Sequence, residues 1–79
     1  PATSMEGARL VADLICTSVY QLGIPNRGAP LERVTVSIGG ATCSLSQVES
    51  HETLLEAADL ALYEAKRMGK NQAVLRELG

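Results

Sequence analysis

The chain has 79 residues, of which 46% are hydrophobic and 3% aromatic, and its formal net charge is −2. A chain this short buries only about 60–65% of the surface that its unfolded form exposes, so we expect marginal stability without a partner. The acidic balance argues against a nucleic-acid-binding surface, and no apolar run reaches the roughly 18 residues that a membrane-spanning helix needs. We therefore expect a small cytoplasmic domain, or part of one, with neither nucleic acid nor membrane as partner.

The first element predicted along the chain is a helix. Thr3 and Glu6 form a T-x-x-E capping box, which marks a helix start. Gly23 supplies the stop signal. Between them, apolar residues recur at steps of three and four, the spacing of one helix face: Ala8, Val11, Ala12, Ile15, Val19 and Leu22. We expect the helix to pack on a sheet through this face.

A connector rich in proline and glycine, IPNRGAP, separates this helix from a predicted strand. In the stretch ERVTVSIGGATC, apolar β-branched residues alternate with hydroxyl residues from Val34 to Ile38, a pattern typical of a strand. The Gly39-Gly40 pair would weaken a central strand. It predicts a bulge, a bend, or a place where another backbone or a ligand comes close.

A second helix is predicted after a polar loop, and a short strand follows it. Ser50 is the preferred N-cap, although Ser46 and Glu49 form a capping-box pattern that would start the helix earlier. Gly69 ends the helix, and the apolar tail QAVLREL predicts the final strand. The apolar stripe of this helix consists of Leu54, Ala58, Ala61, Leu62 and Ala65.

The order helix, strand, helix, strand predicts an α+β fold in which helices layer on a sheet. Two strands alone make a poor sheet, so we expect residues 1–79 to form a single partial domain. The first residue is Pro rather than Met, which agrees with that expectation. Because unpaired strand edges recruit partners, we also expect a homodimer or a strand-exchanged oligomer.

The residues that commonly carry chemistry form no catalytic constellation in the sequence. Cys16 and Cys43 lie in no metal-ligand pattern, and a lone His51 cannot complete a zinc site, so both cysteines are predicted to be buried free thiols rather than a disulfide. His51 is expected at the surface, and Ser37 is expected to be a core hydroxyl without a base beside it.

The segments VTVSIGGA and LLEAADLALYEAKRMGKN, followed by the apolar tail, resemble the C-terminal part of a GGDEF domain, the diguanylate cyclase family. The family strand typically ends in Ser-Ile-Gly-Val-Ala, and this chain has Gly40 where Val is usual. The family helix carries Ala-Asp, Ala-Leu-Tyr, Ala-Lys and Gly-Arg-Asn, and this chain matches them with Lys70 where Arg is usual. The resemblance implies the C-terminal portion of a nucleotidyl-cyclase-like, ferredoxin-like layered sheet. It also implies a mainly structural part for Asp59.

The resemblance implies an activity that this chain could hold only in part. Family members join two GTP molecules into cyclic di-GMP across a dimer, using two Mg²⁺ or Mn²⁺ ions. The metal ligands lie on an earlier strand and in the GG[DE]EF hairpin, and this sequence contains neither. The resemblance therefore implies that the chain holds no metal and no catalytic residue, and that it is inactive alone.

Lys66 and Lys70 are the part of the family site that the chain retains, and the resemblance implies that they bind the terminal phosphates of GTP. They are four residues apart, which would place them on one side of a helix. Lys in place of Arg keeps the charge but loses the bidentate fork, so the grip on phosphate is expected to be looser. The plain alternative is a solvated helix end that the helix dipole favours.

Alternatives remain open for Tyr63, which has two interpretations, and for the function, which has three. Tyr63 is interpreted as a packing residue with a wet hydroxyl rather than a stacking platform for a base. The parent protein is either a diguanylate cyclase or a degenerate, non-catalytic GGDEF module for regulation or dimerisation. An unrelated small interaction domain is the third alternative.

Overall fold

The computed structural model describes residues 5–43 and 51–78. Its elements are α1 (Met5–Leu22), β1 (Ile38–Cys43), α2 (His51–Arg67) and β2 (Ala73–Leu78), which confirms the predicted order. The two strands pair in parallel, with Ile38 opposite Ala73 and Cys43 opposite Leu78. Parallel neighbours need a crossover connection, and α2 provides it, so β1, α2 and β2 form a β-α-β unit. The predicted caps at Thr3, Ser46 and Ser50 lie outside the described residues.

Helix α2 packs closely on β1 because the facing side chains are small. Ala61 and Ala65 are fully buried, with an exposed fraction of 0% each, and Ala57 is also buried. A Cβ atom added to Gly39 would lie 2.5 Å from the carbonyl oxygen of Ala58, so the helix backbone occupies that space. Of the alternatives predicted for the Gly39-Gly40 pair, the structure therefore shows the close approach of another backbone, at Gly39. The predicted apolar stripe of α2 was wrong at one position. Ala57, which it did not include, is buried, whereas Ala58, which it included, is only half-buried.

Helix α1 lies against both strands, but the predicted burial of its apolar face is mostly wrong. Only Ala12 and Cys16 are buried, whereas Val11 is 57% and Ile15 is 45% exposed. The physical reason is that the two-stranded sheet is too narrow to cover the helix. Two strands about 5 Å apart cannot cover a helix of 18 residues, which is about 27 Å long.

The predicted strand begins later than expected, because β1 starts at Ile38 and residues 34–37 lie outside it. The start of this segment pairs with the connector instead. Pro25 and Arg33 form an isolated antiparallel bridge, and the Val34 amide donates to the Ile24 carbonyl at 2.8 Å. Alternation of side chains predicts which residues can form a strand, but not where a pairing partner is present.

The two cysteines are free thiols, as predicted. Cys16 is buried, but Cys43 is only half-buried, so the expected burial was wrong for Cys43. Burial raises the pKa of the Cys16 thiol above its ordinary value, and the nearby Asp13 carboxylate acts in the same direction. Cys16 therefore stays protonated and packs as a small apolar group.

The chain is more extended than a compact domain of its length. Its radius of gyration is 14.1 Å and its principal extents are 45 × 24 × 16 Å. A compact domain of this size has a radius of gyration of about 12 Å. The difference agrees with a narrow sheet that leaves much of α1 uncovered.

Candidate phosphate-binding site

The C-terminal end of α2 closes in a Schellman turn built on Gly69. The Lys70 amide donates to the Ala65 carbonyl at 3.0 Å, and the Gly69 amide donates to the Lys66 carbonyl at 3.4 Å. Gly69 has a φ of 118°, a conformation that glycine adopts without steric cost. The predicted glycine stop is confirmed, and the turn fixes the backbone that carries Lys70.

Lys70 itself has a left-handed backbone, with a φ of 63°. A residue with a Cβ atom pays about 1 kcal/mol or more for this conformation, so lysine is a poor choice here for stability alone. Gln72 supports the turn, since its Nε2 donates to the carbonyl oxygens of Met68 and Lys70 at 3.1 Å each. The strained position keeps an exposed ammonium group at the end of the helix.

The structure brings Lys70 together with residues of the connector rather than with Lys66. Lys70 lines an open cleft of about 540 Å³, to which the connector and the start of the next segment contribute the other residues. Helix α2 ends at Arg67, so the expectation that Lys66 and Lys70 share one side of a helix does not hold for Lys70. Lys66 is exposed in the last turn and is not among the residues that line this cleft.

Two arginines line the same cleft, Arg27 from the connector and Arg33 from the segment that follows it, and no sequence motif marked either one. Arg27 is exposed, whereas Arg33 is half-buried against α1. The guanidinium carbon of Arg33 lies 4.4 Å from the centre of the Tyr20 ring, and its Nη1 donates to the Tyr20 carbonyl at 2.9 Å. The available signal was two arginines close together in the sequence, but only the fold shows that this part of the chain reaches the end of α2.

The other candidate residues lie apart from the cleft. Asp59 and Tyr63 are exposed on α2, and the Tyr63 ring, 61% exposed, contacts Arg67 rather than the core. Ser37 is half-buried before β1. The side chain of His51 lies outside the description.

The described residues offer no place for a metal ion. Within residues 5–43 and 51–78, no group of three or more His, Cys, Asp or Glu side chains is arranged to hold one. The donor set near the cleft is cationic, which suits an anion and not a divalent cation. In the same described ranges, no helix is long and apolar enough to cross a membrane.

Comparison with known proteins identifies the family. The family described as "Diguanylate cyclase, GGDEF domain" matches residues 1–72. A curated relative, Diguanylate cyclase A of Treponema denticola, is 38% identical over 73 residues, which is 92% of this chain and 19% of that protein. No solved structure gives a significant match. The chain thus spans about a fifth of the length of its curated relative, and it belongs to the GGDEF domain family.

Proposed function

We propose that this chain is part of a diguanylate cyclase domain that makes cyclic di-GMP from two GTP molecules in the intact protein. The observation that carries the proposal is the family match over residues 1–72. We propose further that the catalytic assembly is a homodimer, in which two GTP-loaded domains face each other. The 79-residue chain alone is expected to be inactive, because its sequence contains no GG[DE]EF hairpin.

Within this domain, Lys66 and Lys70 are proposed to contact the terminal phosphates of GTP. Both side chains are exposed, and neither makes an ion pair with a residue of the described ranges. An unpaired ammonium group is free to bind a phosphate oxygen, and catalysis of phosphoryl transfer relies on such charge stabilisation and positioning. The strained backbone of Lys70 supports a role in binding, because glycine would serve the turn better.

A substitution that separates stability from binding tests the role of Lys70. In the full-length protein that carries this domain, Lys70→Gly should raise the free energy of unfolding by about 0.5–1 kcal/mol, because glycine relieves the left-handed backbone. The same change should weaken GTP binding about tenfold or more, through loss of a charge-assisted contact. Thermal melting and calorimetric titration with GTP measure the two effects.

Glu32→Gly is the matched control for this experiment. Glu32 also has a left-handed backbone, with a φ of 55°, and it is exposed. Glycine there should stabilise the fold in the same way without weakening GTP binding. If Lys70→Gly stabilises the protein and leaves GTP affinity intact, Lys70 does not bind phosphate.

The alternative is a degenerate GGDEF module that regulates or dimerises without catalysis. Incubation of the full-length protein with GTP and Mg²⁺, followed by chromatography of the products, separates the two. Cyclic di-GMP in the products supports the cyclase, and intact GTP binding without product supports the degenerate module.

A further inference from the structure

The cleft beside Lys70 is basic although the chain as a whole is acidic. The net charge is −2, yet three of the seven basic residues line the cleft, namely Arg27, Arg33 and Lys70. None of the described residues that line it is Asp or Glu. A cleft lined by one sign of charge focuses the electric field and raises the local concentration of ligands of opposite charge. The cleft is therefore suited to an anion.

The two arginines of the cleft differ in how much of the guanidinium group is already used in contacts within the fold. Arg33 stacks on the Tyr20 ring and donates to the Tyr20 carbonyl, so part of its guanidinium is used within the fold. Arg27 is exposed and makes no hydrogen bond or ion pair with any residue in the ranges 5–43 and 51–78. Arg27 therefore has its planar donor fork available to a ligand.

The loop that carries Arg27 is held in place by its own backbone. Pro25 and Arg33 pair across its base, and the Asn26 amide donates to the Glu32 carbonyl at 3.1 Å. The Arg33 contact with Tyr20 ties the same loop to the end of α1. A cation on a pre-ordered loop loses less freedom on binding than one on a mobile loop, so each contact contributes more to affinity.

We infer that Arg27 is a further phosphate-binding residue, which contacts the terminal phosphates of the nucleotide from the loop side of the cleft while Lys70 contacts them from the helix end. This inference rests on the proposed function. The cleft volume of about 540 Å³ lies within the range of small-ligand sites. Lys70 offers a point charge, whereas Arg27 offers the bidentate fork that matches two phosphate oxygens.

The test compares ligands with and without terminal phosphates, using the full-length protein that carries this domain. Arg27→Gln should weaken the binding of GTP and of inorganic tripolyphosphate about tenfold and leave the binding of GMP within about twofold of the wild type. Arg9→Gln is the matched control, because Arg9 is an exposed arginine on α1 that does not line the cleft. Arg9→Gln should change none of the three affinities by more than about twofold.

Three outcomes would overturn the inference. Arg27→Gln could bind GTP as tightly as the wild type, it could weaken GTP and GMP equally, or it could do no more than Arg9→Gln. If Lys66→Gln and Lys70→Gln still weaken GTP binding in those cases, the proposed function stands and only the role of Arg27 is lost. If the wild-type protein binds no GTP, the proposed function fails and the inference fails with it.

Discussion

Helices α2 and α1 contact the same two strands through small buried residues, but α2 contacts them far more extensively than α1 does. On α2, the buried positions are alanines, and the backbone of the helix comes within contact of Gly39. On α1, the larger apolar residues stay in solvent, with Leu10 70% and Leu14 66% exposed. Close approach therefore depends on small residues on both sides of the contact, whereas large apolar residues stabilise a fold only where something covers them.

The largest expected effect comes from filling the space at Gly39. Gly39→Ala places a methyl group against the backbone of Ala58 and Leu62, which cannot yield as a side-chain end can. We expect the free energy of unfolding to fall by about 3 kcal/mol, measured by urea denaturation followed by circular dichroism.

Gly40→Ala is the matched control for the Gly39 prediction. The added methyl group at Gly40 meets the end of the Leu75 side chain, which can rotate away, so we expect a loss of about 1 kcal/mol or less. Equal losses for the two substitutions would contradict the tight contact between α2 and β1.

An intermediate loss of stability is expected where Arg33 attaches the loop between α1 and β1 to α1. Arg33→Gln removes the stacking on Tyr20 and alters the hydrogen bond to the Tyr20 carbonyl, and it should lower the free energy of unfolding by about 1 kcal/mol. Arg27 lies in the same loop but makes no hydrogen bond or ion pair within residues 5–43 and 51–78, so Arg27→Gln should change the free energy of unfolding by less than about 0.5 kcal/mol. If the two substitutions have the same small effect, Arg33 does not fix the loop.

The sequence predicted those parts of the fold that depend on local patterns. The glycine stops at Gly23 and Gly69, the order of the elements and the close approach at Gly39 all follow from residue type and spacing. The start of β1 and the burial of α1 could not be predicted in this way. Both depend on which neighbouring strands are present, and a periodic pattern carries no information about that.

For the same reason, the sequence pointed to only one of the basic residues that line the cleft, Lys70, and its role in phosphate binding stays a prediction. Lys66 and Lys70 stand in one continuous motif, so the resemblance reached them directly. Arg27 and Arg33 lie more than 30 residues earlier, in the connector and just after it, and only the path of the chain brings them to the same cleft as Lys70. The helical spacing of Lys66 and Lys70 wrongly predicted that they share one side of a helix. The helix ends at Arg67, and the Schellman turn redirects the chain before Lys70.

The smallest expected effect concerns the uncovered face of α1. Leu14→Ala removes a side chain that is 66% exposed, so in the 79-residue chain it should change the free energy of unfolding by less than about 0.5 kcal/mol. Leu54→Ala makes the same chemical change at a half-buried position of α2 and should cost about 1 kcal/mol. Urea denaturation at two protein concentrations measures both.

A cost above about 1.5 kcal/mol for Leu14→Ala would contradict the weak attachment of α1, because such a loss requires a buried leucine. Concentration dependence would then identify what buries it. A midpoint that rises with protein concentration means that a second copy covers α1, since association stabilises the folded state by mass action. A midpoint that does not move means that another part of the same chain covers it. In either case, the contrast between the two helices would come from a missing neighbour and not from their sequences.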